Sequence, residues 1–149
     1  MKQKTSQAPL ALAQLTAKKI VVLGAGLTGL SCVRFLNENG LTCSVNDSRD
    51  NAVSVEAFQQ EFPKISLALG GWDKALIASA DILLVSPGID TSIDDIADAI
   101  HTNCIVAGDV ELYCQNTTTP ILAITGSNGK STVVSLLAFI GKKLGKNVE

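Results

Sequence analysis

The chain has 149 residues, of which 46% are hydrophobic and 17% charged, and its formal net charge is −2. This composition supports a folded core, excludes a disordered protein and provides no basic surface for nucleic acid. No apolar run approaches the ~20 residues of a membrane span, and residues 1–17 lack the apolar core of a signal peptide. We therefore expect residues 1–17 to be a flexible lead-in and the protein to be cytoplasmic, without a membrane or nucleic-acid partner.

The four cysteines indicate the redox environment. They occupy apolar segments, and no two form a C-x-x-C pair: Cys32, Cys43, Cys104 and Cys114. This pattern predicts buried free thiols in a reducing cytosol and argues against a zinc site.

The first predicted elements are a strand, a glycine-rich turn and a helix. Residues 19–23 are predicted to form the strand, and residues 24–29 have the pattern G-x-G-x-x-G. Gly40 is well placed to end the helix. A second strand over residues 42–46 leads to Asp47, where a dinucleotide-binding fold carries its ribose-binding carboxylate.

The glycine pattern has three interpretations. The helix N-terminus could bind the diphosphate of NAD or the diphosphate of a uridine nucleotide. The third interpretation is a tight turn that binds no ligand. Arg49 stands two residues after Asp47. A cation there suits an anionic or carbonyl-rich group, so the uridine nucleotide is favoured.

The elements that follow alternate in type. Helices are predicted over residues 53–62, 72–80 and 91–101, and strands over residues 65–69, 82–85 and 104–107. Apolar strands separated by helices predict a parallel sheet covered on both faces, here a Rossmann-like domain over residues 18–107. Ligands bind such sheets beyond the carboxyl ends of the strands, a rim that would include Ser86-Pro87-Gly88.

The character of the sequence changes at Gly108. A short helix over residues 109–115 and a polar linker over 116–120 precede an apolar strand over 121–124. The loop that follows, T-G-S-N-G-K-S-T, leads into a helix with an apolar stripe. One strand and one helix bury too little apolar surface to form a hydrophobic core of their own. Residues 108–149 are therefore predicted to be the start of a second, P-loop ATPase-type domain.

The loop at residues 125–132 predicts a nucleotide-triphosphate site. Its backbone N–H groups and the helix N-terminus would hold the phosphates, Lys130 would reach the outer phosphates, and the Ser131 hydroxyl would hold Mg²⁺. Ile124 stands where the strict P-loop pattern has its first glycine, so this is a shortened form. A glycine-rich turn before a surface helix is the alternative.

Four segments together resemble the Mur ligase family. They are GAGLTGLS at residues 24–31, SPGI at 86–89, GDVEL at 108–112 and TGSNGKST at 125–132. The resemblance extends from about residue 18 to residue 149, and the first segment is similar to the D-glutamate-adding branch of the family.

The resemblance implies two sets of site residues. The UDP part of a substrate would be held by Leu27, Thr28, Asp47, Ser48, Arg49 and Gly88. Family members often have threonine at the position of Ser48, which retains the hydroxyl. ATP would be held by Gly126, Ser127, Asn128, Gly129, Lys130, Ser131 and Thr132. Lys130 would be catalytic, and Ser131 would ligate Mg²⁺.

The implied reaction is ATP-dependent amide formation in peptidoglycan precursor synthesis. UDP-N-acetylmuramoyl-L-alanine would be activated as an acyl phosphate and joined to D-glutamate, whose binding site would lie beyond this chain. We expect the chain alone to be inactive as a ligase and the full-length protein to be a monomer. Residues 116–149 are expected to be mobile, folded back onto the first domain, or exchanged between two self-associated copies.

Two other classes of function stay open. An NAD-dependent oxidoreductase would use residues 24–29 and Asp47, although it would not need an ATP loop. A non-catalytic nucleotide-sensing module would combine the same sites without a reaction.

Overall fold

The computed structural model describes residues 10–148, and a five-stranded parallel sheet lies at the centre of the fold. The strands are β1 (Ile20–Leu23), β2 (Ser44–Asp47), β3 (Ser66–Leu69), β4 (Ile82–Val85) and β5 (Ile105–Ala107). Their order is β3-β2-β1-β4-β5, and each neighbouring pair is parallel. The predicted α/β fold class with a Rossmann-like sheet is confirmed.

Helices connect the strands and cover both faces of the sheet. Within residues 10–117 the helices are α1 (Leu12–Leu15), α2 (Leu27–Glu38), α3 (Val55–Glu61), α4 (Lys74–Ala78), α5 (Asp94–Ala97) and α6 (Asp109–Asn116). A further helix, α7 (Lys130–Lys143), follows later in the chain. Short polar side chains begin two of these helices, because the side chains of Ser54 and Asp73 accept hydrogen bonds from N–H groups of α3 and α4. Gly40, with a φ of +72°, follows α2 as predicted.

The alternation of side chains along β1 divides the core into two layers. Ile20 and Val22 pack with α2 and α3 on one face of the sheet, whereas Val21 and Leu23 pack with α4 and α5 on the other. All four side chains are almost fully buried. A strand buried on both faces must be apolar throughout, which explains why β1 has no polar residue.

The three helices predicted over residues 53–62, 72–80 and 91–101 are all shorter in the structure, and α5 differs most. The sequence pattern favours a helix over residues 91–101, but α5 begins only at Asp94 and ends at Ala97. Asp90 accepts hydrogen bonds from the N–H group of Ser92 at 2.8 Å and from its hydroxyl at 2.6 Å. This local turn competes with helical bonding and delays the start of α5.

The segment before β1 is part of the core. Leu10 and Leu15 are buried, with 0% and 1% of their surface exposed. The Leu10 N–H group donates to Gln115 Oε1 at 2.8 Å, and the Leu12 N–H group donates to Asn116 Oδ1 at 2.9 Å. Asn116 Nδ2 donates in turn to the Leu10 carbonyl at 2.9 Å. These bonds fasten the segment to the end of α6.

Two predicted boundaries are corrected by this packing. Residues 10–17 are not a flexible lead-in, and residues 1–9 lie outside the described part of the chain. The chain divides into two compact units between Thr117 and Thr118, so α6 belongs to the first unit and not, as predicted, to a domain that begins at residue 108. The reason is Leu112, which is 3% exposed in the core.

The second unit contains the predicted phosphate loop and α7. Residues 121–124 do not form the predicted strand, because no neighbouring strand in the described residues pairs with their backbone groups. α7 forms as predicted, yet its apolar stripe is exposed, with Leu136 57% and Leu144 71% accessible.

The cysteines only partly match the prediction. Cys32 and Cys43 are buried free thiols, and burial raises their pKa to about 11 and about 12. Cys104 is half-buried, and Cys114, on α6, is exposed. Within residues 10–148 no cluster of metal-ligating side chains occurs, and no helix has the length and hydrophobicity to span a bilayer.

The buried segment before β1 should contribute measurably to stability. Truncating Leu15 to alanine leaves a cavity in the core and should lower the free energy of unfolding by about 2–5 kcal/mol. Val110→Ala is the matched control, since that side chain is 66% exposed on α6. Urea unfolding of both variants measures the difference. Equal, small effects would show that residues 10–15 are not part of the folded unit.

Candidate functional site

A cleft of about 590 Å³ opens at the carboxyl ends of β1, β2 and β4. It brings together all six residues predicted for the UDP moiety: Leu27, Thr28, Asp47, Ser48, Arg49 and Gly88. The glycine turn, Trp72, the Ser86-Pro87 pair and Ile89 also line it. The rim predicted from strand ends is thus one continuous cavity in the first unit.

The glycine turn allows the backbone to pass very close to the start of α2. A Cβ atom on Gly29 would lie 1.8 Å from the Gly24 carbonyl oxygen, so no other residue fits there. Gly24 itself has a φ of +99°, which favours glycine. The result is a helix N-terminus whose free N–H groups open into the cleft, as a phosphate group requires. Leu27, 90% exposed, covers that end.

Asp47 is the buried charge of the site, and it lies at the end of β2. Oδ1 accepts from the backbone N–H group of Arg49 at 3.0 Å and from its Nε at 2.9 Å. Oδ2 accepts from the Ala25 N–H group at 2.8 Å and from Arg49 Nη2 at 2.7 Å. The carboxylate is 2% exposed, while the Arg49 side chain is 61% exposed.

These contacts keep Asp47 ionised. The hydrogen bond from the Arg49 side chain, assisted by the N–H groups of Ala25 and Arg49, outweighs burial and lowers the pKa of Asp47 to about 2. A carboxylate offers about four lone-pair positions, and four donors meet it here. The bonds from Ala25 and Arg49 thus use all four positions in this structure.

Asn46 supports the wall of the cleft, and the sequence analysis did not single it out. It is fully buried next to Asp47. Its Nδ2 donates to the carbonyls of Ala68 and Gly71 at 3.1 and 2.8 Å, and its Oδ1 accepts from the Asp73 N–H group at 2.9 Å. These bonds hold the loop that carries Trp72 into the wall of the cleft. The available signal was the position of Asn46 at the end of the predicted strand, directly before Asp47.

Ser86 was predicted only as part of a rigid turn, and its environment is more specific. Its N–H group donates to the Leu23 carbonyl at 3.0 Å, which continues the ladder beyond β4. Its Oγ is buried without a hydrogen-bond partner among the described residues. The same Oγ lies 2.7 Å from the position of a Cβ on Gly24, so it packs directly against the glycine turn.

The second unit contains the residues predicted to hold ATP. Gly129 has a left-handed conformation with a φ of +76° and directly precedes α7. The Val133 N–H group donates to the Gly129 carbonyl at 3.0 Å, which leaves the N–H groups of the preceding three residues without an intrahelical acceptor. Lys130 Nζ donates to the Gly126 carbonyl. Residues 125–132 are exposed.

The chemical groups of these residues are suited to bind a triphosphate and Mg²⁺. The free N–H groups at the start of α7 provide donors and a partial positive charge. Lys130 adds a full charge over the same loop, and Ser131 in the first turn of α7 provides a hydroxyl oxygen, a ligand type that Mg²⁺ accepts.

Comparison with known proteins gives a consistent set of relatives. The family model for the Mur ligase MurD-like N-terminal domain matches residues 18–108. The UDP-N-acetylmuramoylalanine--D-glutamate ligase of Colwellia psychrerythraea is 50% identical over 139 residues, covering 87% of this chain and 30% of the relative. The enzyme of the same name from Pseudoalteromonas translucida is 45% identical over 125 residues, covering 84% of this chain and 28% of the relative.

A solved structure agrees with these relatives. A pseudomurein peptide ligase type C from Methanothermus fervidus is 32% identical, with a TM-score of 0.54, and the match covers 85% of this chain and 26% of the other. This chain spans about 30% of the length of the curated relatives that it matches.

The contact between Gly29 and Gly24 should make the glycine turn intolerant of even one methyl group. Gly29→Ala forces the Gly24 carbonyl to move and should destabilise the chain by at least about 1–3 kcal/mol. Gly88→Ala is the control, because a Cβ there meets no atom within 4 Å. Thermal unfolding monitored by circular dichroism compares them, and equal melting temperatures would contradict the packing.

The Asp47–Arg49 pair should make stability depend on pH in the acidic range. The pKa of Asp47 is about 2 in the folded chain, whereas an unfolded aspartate has a pKa of about 3.9. The stabilisation should be complete above about pH 5 and be lost as the pH falls from about 4 to about 2. Urea unfolding of the wild type and Asp47→Asn between about pH 6 and pH 3 should show the difference shrinking with falling pH. A difference independent of pH would contradict the assignment.

Proposed function

This chain belongs to the Mur ligase family, and from that premise we propose that it handles the nucleotides of a D-glutamate-adding ligase in peptidoglycan precursor synthesis. The proposed reaction joins D-glutamate to UDP-N-acetylmuramoyl-L-alanine at the expense of ATP. Because the chain spans about 30% of its relatives' length, the activity is proposed for a protein of that length, with D-glutamate bound outside the residues described here.

The observation that carries the proposal is the hydrogen bonding of the Asp47 carboxylate. An NAD-binding site of this fold uses the carboxylate after the second strand to accept a hydrogen bond from the ribose. Asp47 cannot serve in this way, because Ala25 and Arg49 occupy both of its oxygens. The site offers instead the exposed Arg49 guanidinium, which binds phosphate or carbonyl oxygens. This favours a uridine nucleotide over NAD and argues against the oxidoreductase alternative.

In the proposed site each residue has a distinct role. The N–H groups at the start of α2, with Leu27 and Thr28, would take the diphosphate, and Arg49, Ser48 and Gly88 would surround the uridine. Asp47 would support Arg49. The cleft of about 590 Å³ lies within the range of small-ligand sites.

Residues 126–132 would hold ATP for the activation of the substrate carboxylate. The carboxylate oxygen attacks the γ-phosphorus, ADP leaves, and the resulting acyl phosphate is attacked by the amine of D-glutamate with loss of phosphate. Lys130 would offset the charge that grows on the transferred phosphoryl group, and the Ser131 hydroxyl would ligate Mg²⁺. Bound Mg²⁺ would neutralise further charge on the phosphates.

The proposed activity fits a cytoplasmic enzyme of cell-wall synthesis, on which cell shape and division depend. A non-catalytic sensing module would need the two nucleotide sites but no phosphoryl transfer. The presence of Lys130 on the loop favours the enzyme, because a lysine at the outer phosphates serves transfer as well as binding.

The nucleotide preference can be tested on this chain directly. Titration with UDP should shift the amide resonances of residues 24–29, 47–49 and 86–88, and NADH should not displace it. Isothermal titration gives the two dissociation constants. Tighter binding of NADH than of UDP would reverse the assignment and support the oxidoreductase.

The proposed role of Lys130 can be tested in a protein of the relatives' length, in which turnover can be measured. Lys130→Ala should reduce turnover by about 10²–10³-fold or more, since a charge aimed at the reacting phosphoryl group is lost. The free energy of unfolding should change little, because the side chain is exposed. Lys142→Ala, in the last turn of α7, is the matched control with normal turnover. Near-normal turnover of Lys130→Ala would remove the loop from the catalytic machinery.

A further inference from the structure

The guanidinium of Arg49 is held side-on by a carboxylate that is itself fixed to the fold. Nε and Nη2 donate to the two oxygens of Asp47 at 2.9 and 2.7 Å. Oδ2 also accepts from the Ala25 N–H group at 2.8 Å. Arg49 is therefore connected, through one buried carboxylate, to the second residue of the glycine turn.

The bonds leave a defined part of the guanidinium free. Arginine has five N–H donors, and Asp47 takes one from Nε and one from Nη2. Nη2 lies 4.0 Å from the position of a Cβ on Gly26, which places the guanidinium beside the N-terminus of α2. Three N–H donors and a full positive charge thus remain at the mouth of the cleft, next to the helix dipole.

We propose that Asp47 is a positioning residue for the uridine nucleotide: it does not touch the ligand, but fixes the Arg49 guanidinium relative to the glycine turn. This inference rests on the proposed function and differs from the role that the family resemblance implies for Asp47, a contact with the uracil or ribose. The pairing removes the freedom of a long, exposed side chain before the ligand arrives, so binding does not have to order it. It also makes the guanidinium and the phosphate-binding N–H groups a single rigid unit.

The chain offers a matched control for this pair. It contains two arginines, Arg34 and Arg49. Arg34 also pairs with a carboxylate, donating from Nε to Glu61 Oε1 at 2.5 Å and from Nη2 to Oε2 at 3.2 Å. Neither Arg34 nor Glu61 lines the cleft. Glu61→Gln therefore makes the same chemical change as Asp47→Asn at a distance from the proposed ligand.

The first measurement needs no ligand. With two arginines, the Nε–H resonances of this chain are readily assigned by NMR. In the wild type the Arg49 Nε–H signal should be protected from exchange with water, and Asp47→Asn should abolish that protection while Glu61→Gln leaves it unchanged. An unprotected Arg49 signal in the wild type would overturn the proposal, whether or not the Asp47→Asn variant folds.

The second measurement is a double-mutant cycle with UDP as the probe. Asp47→Asn and Arg49→Ala should each weaken binding by about tenfold or more, and the double variant should bind no more weakly than Arg49→Ala alone. Glu61→Gln should bind as the wild type does. Wild-type affinity in Asp47→Asn would overturn the positioning role. Losses that multiply in the double variant would overturn it as well, because they would mean that Asp47 contacts the ligand itself.

The two measurements separate this inference from the proposed function. A wild-type chain with a protected Arg49 signal and no affinity for UDP would refute the uridine site, while the NMR comparison would still support the placement of Arg49 by Asp47. A chain that binds UDP with a disordered Arg49 would support the uridine site and refute the positioning role.

Discussion

A buried carboxylate is stable only when hydrogen-bond donors or a cation compensate its charge, and the arrangement of the cleft depends on how this chain meets that demand at Asp47. Two of the donors come from the backbone and two from one arginine side chain. The backbone donor at Ala25 exists only because the chain turns sharply there, and that turn needs the close approach of Gly29 to Gly24. Steric and electrostatic constraints therefore converge on one short stretch between β1 and α2, and the shape and charge of the cleft follow from both.

The sheet and the positions of the cleft residues could be predicted from sequence because their signals are local. A four-residue apolar run such as Ile82–Val85 has few alternatives to a buried strand. The rule that ligands lie beyond strand ends then brings together Leu27, Arg49 and Gly88, which are far apart in the chain. The state of Asp47 could not be predicted, since it depends on the approach of an N–H group 22 residues away. Sequence position indicated a ribose ligand, whereas the structure shows that carboxylate bonded to Ala25 and Arg49.

The errors in domain organisation have a similar origin. Residues 10–15 are too short a segment to show a hydrophobic period. Their burial depends on Gln115 and Asn116, about 105 residues later. The predicted strand over residues 121–124 shows the converse case, in which a strong local signal has no partner among the described residues. β-structure is a property of pairs of segments, so a strand prediction from one segment is conditional on the other. α7 forms under the same conditions because a helix satisfies its own backbone.

The uneven burial of the cysteines makes the first unit convenient for selective chemical labelling. Maleimides and other thiol reagents react with the thiolate, and burial raises the pKa of Cys32, Cys43 and Cys104. Cys114 is exposed on α6, two residues before the asparagine that fastens Leu10 and Leu12. A fluorophore or spin label can therefore be attached at the boundary of the first unit without removing any native cysteine. Such a probe would report on that boundary from outside the cleft, which Cys114 does not line.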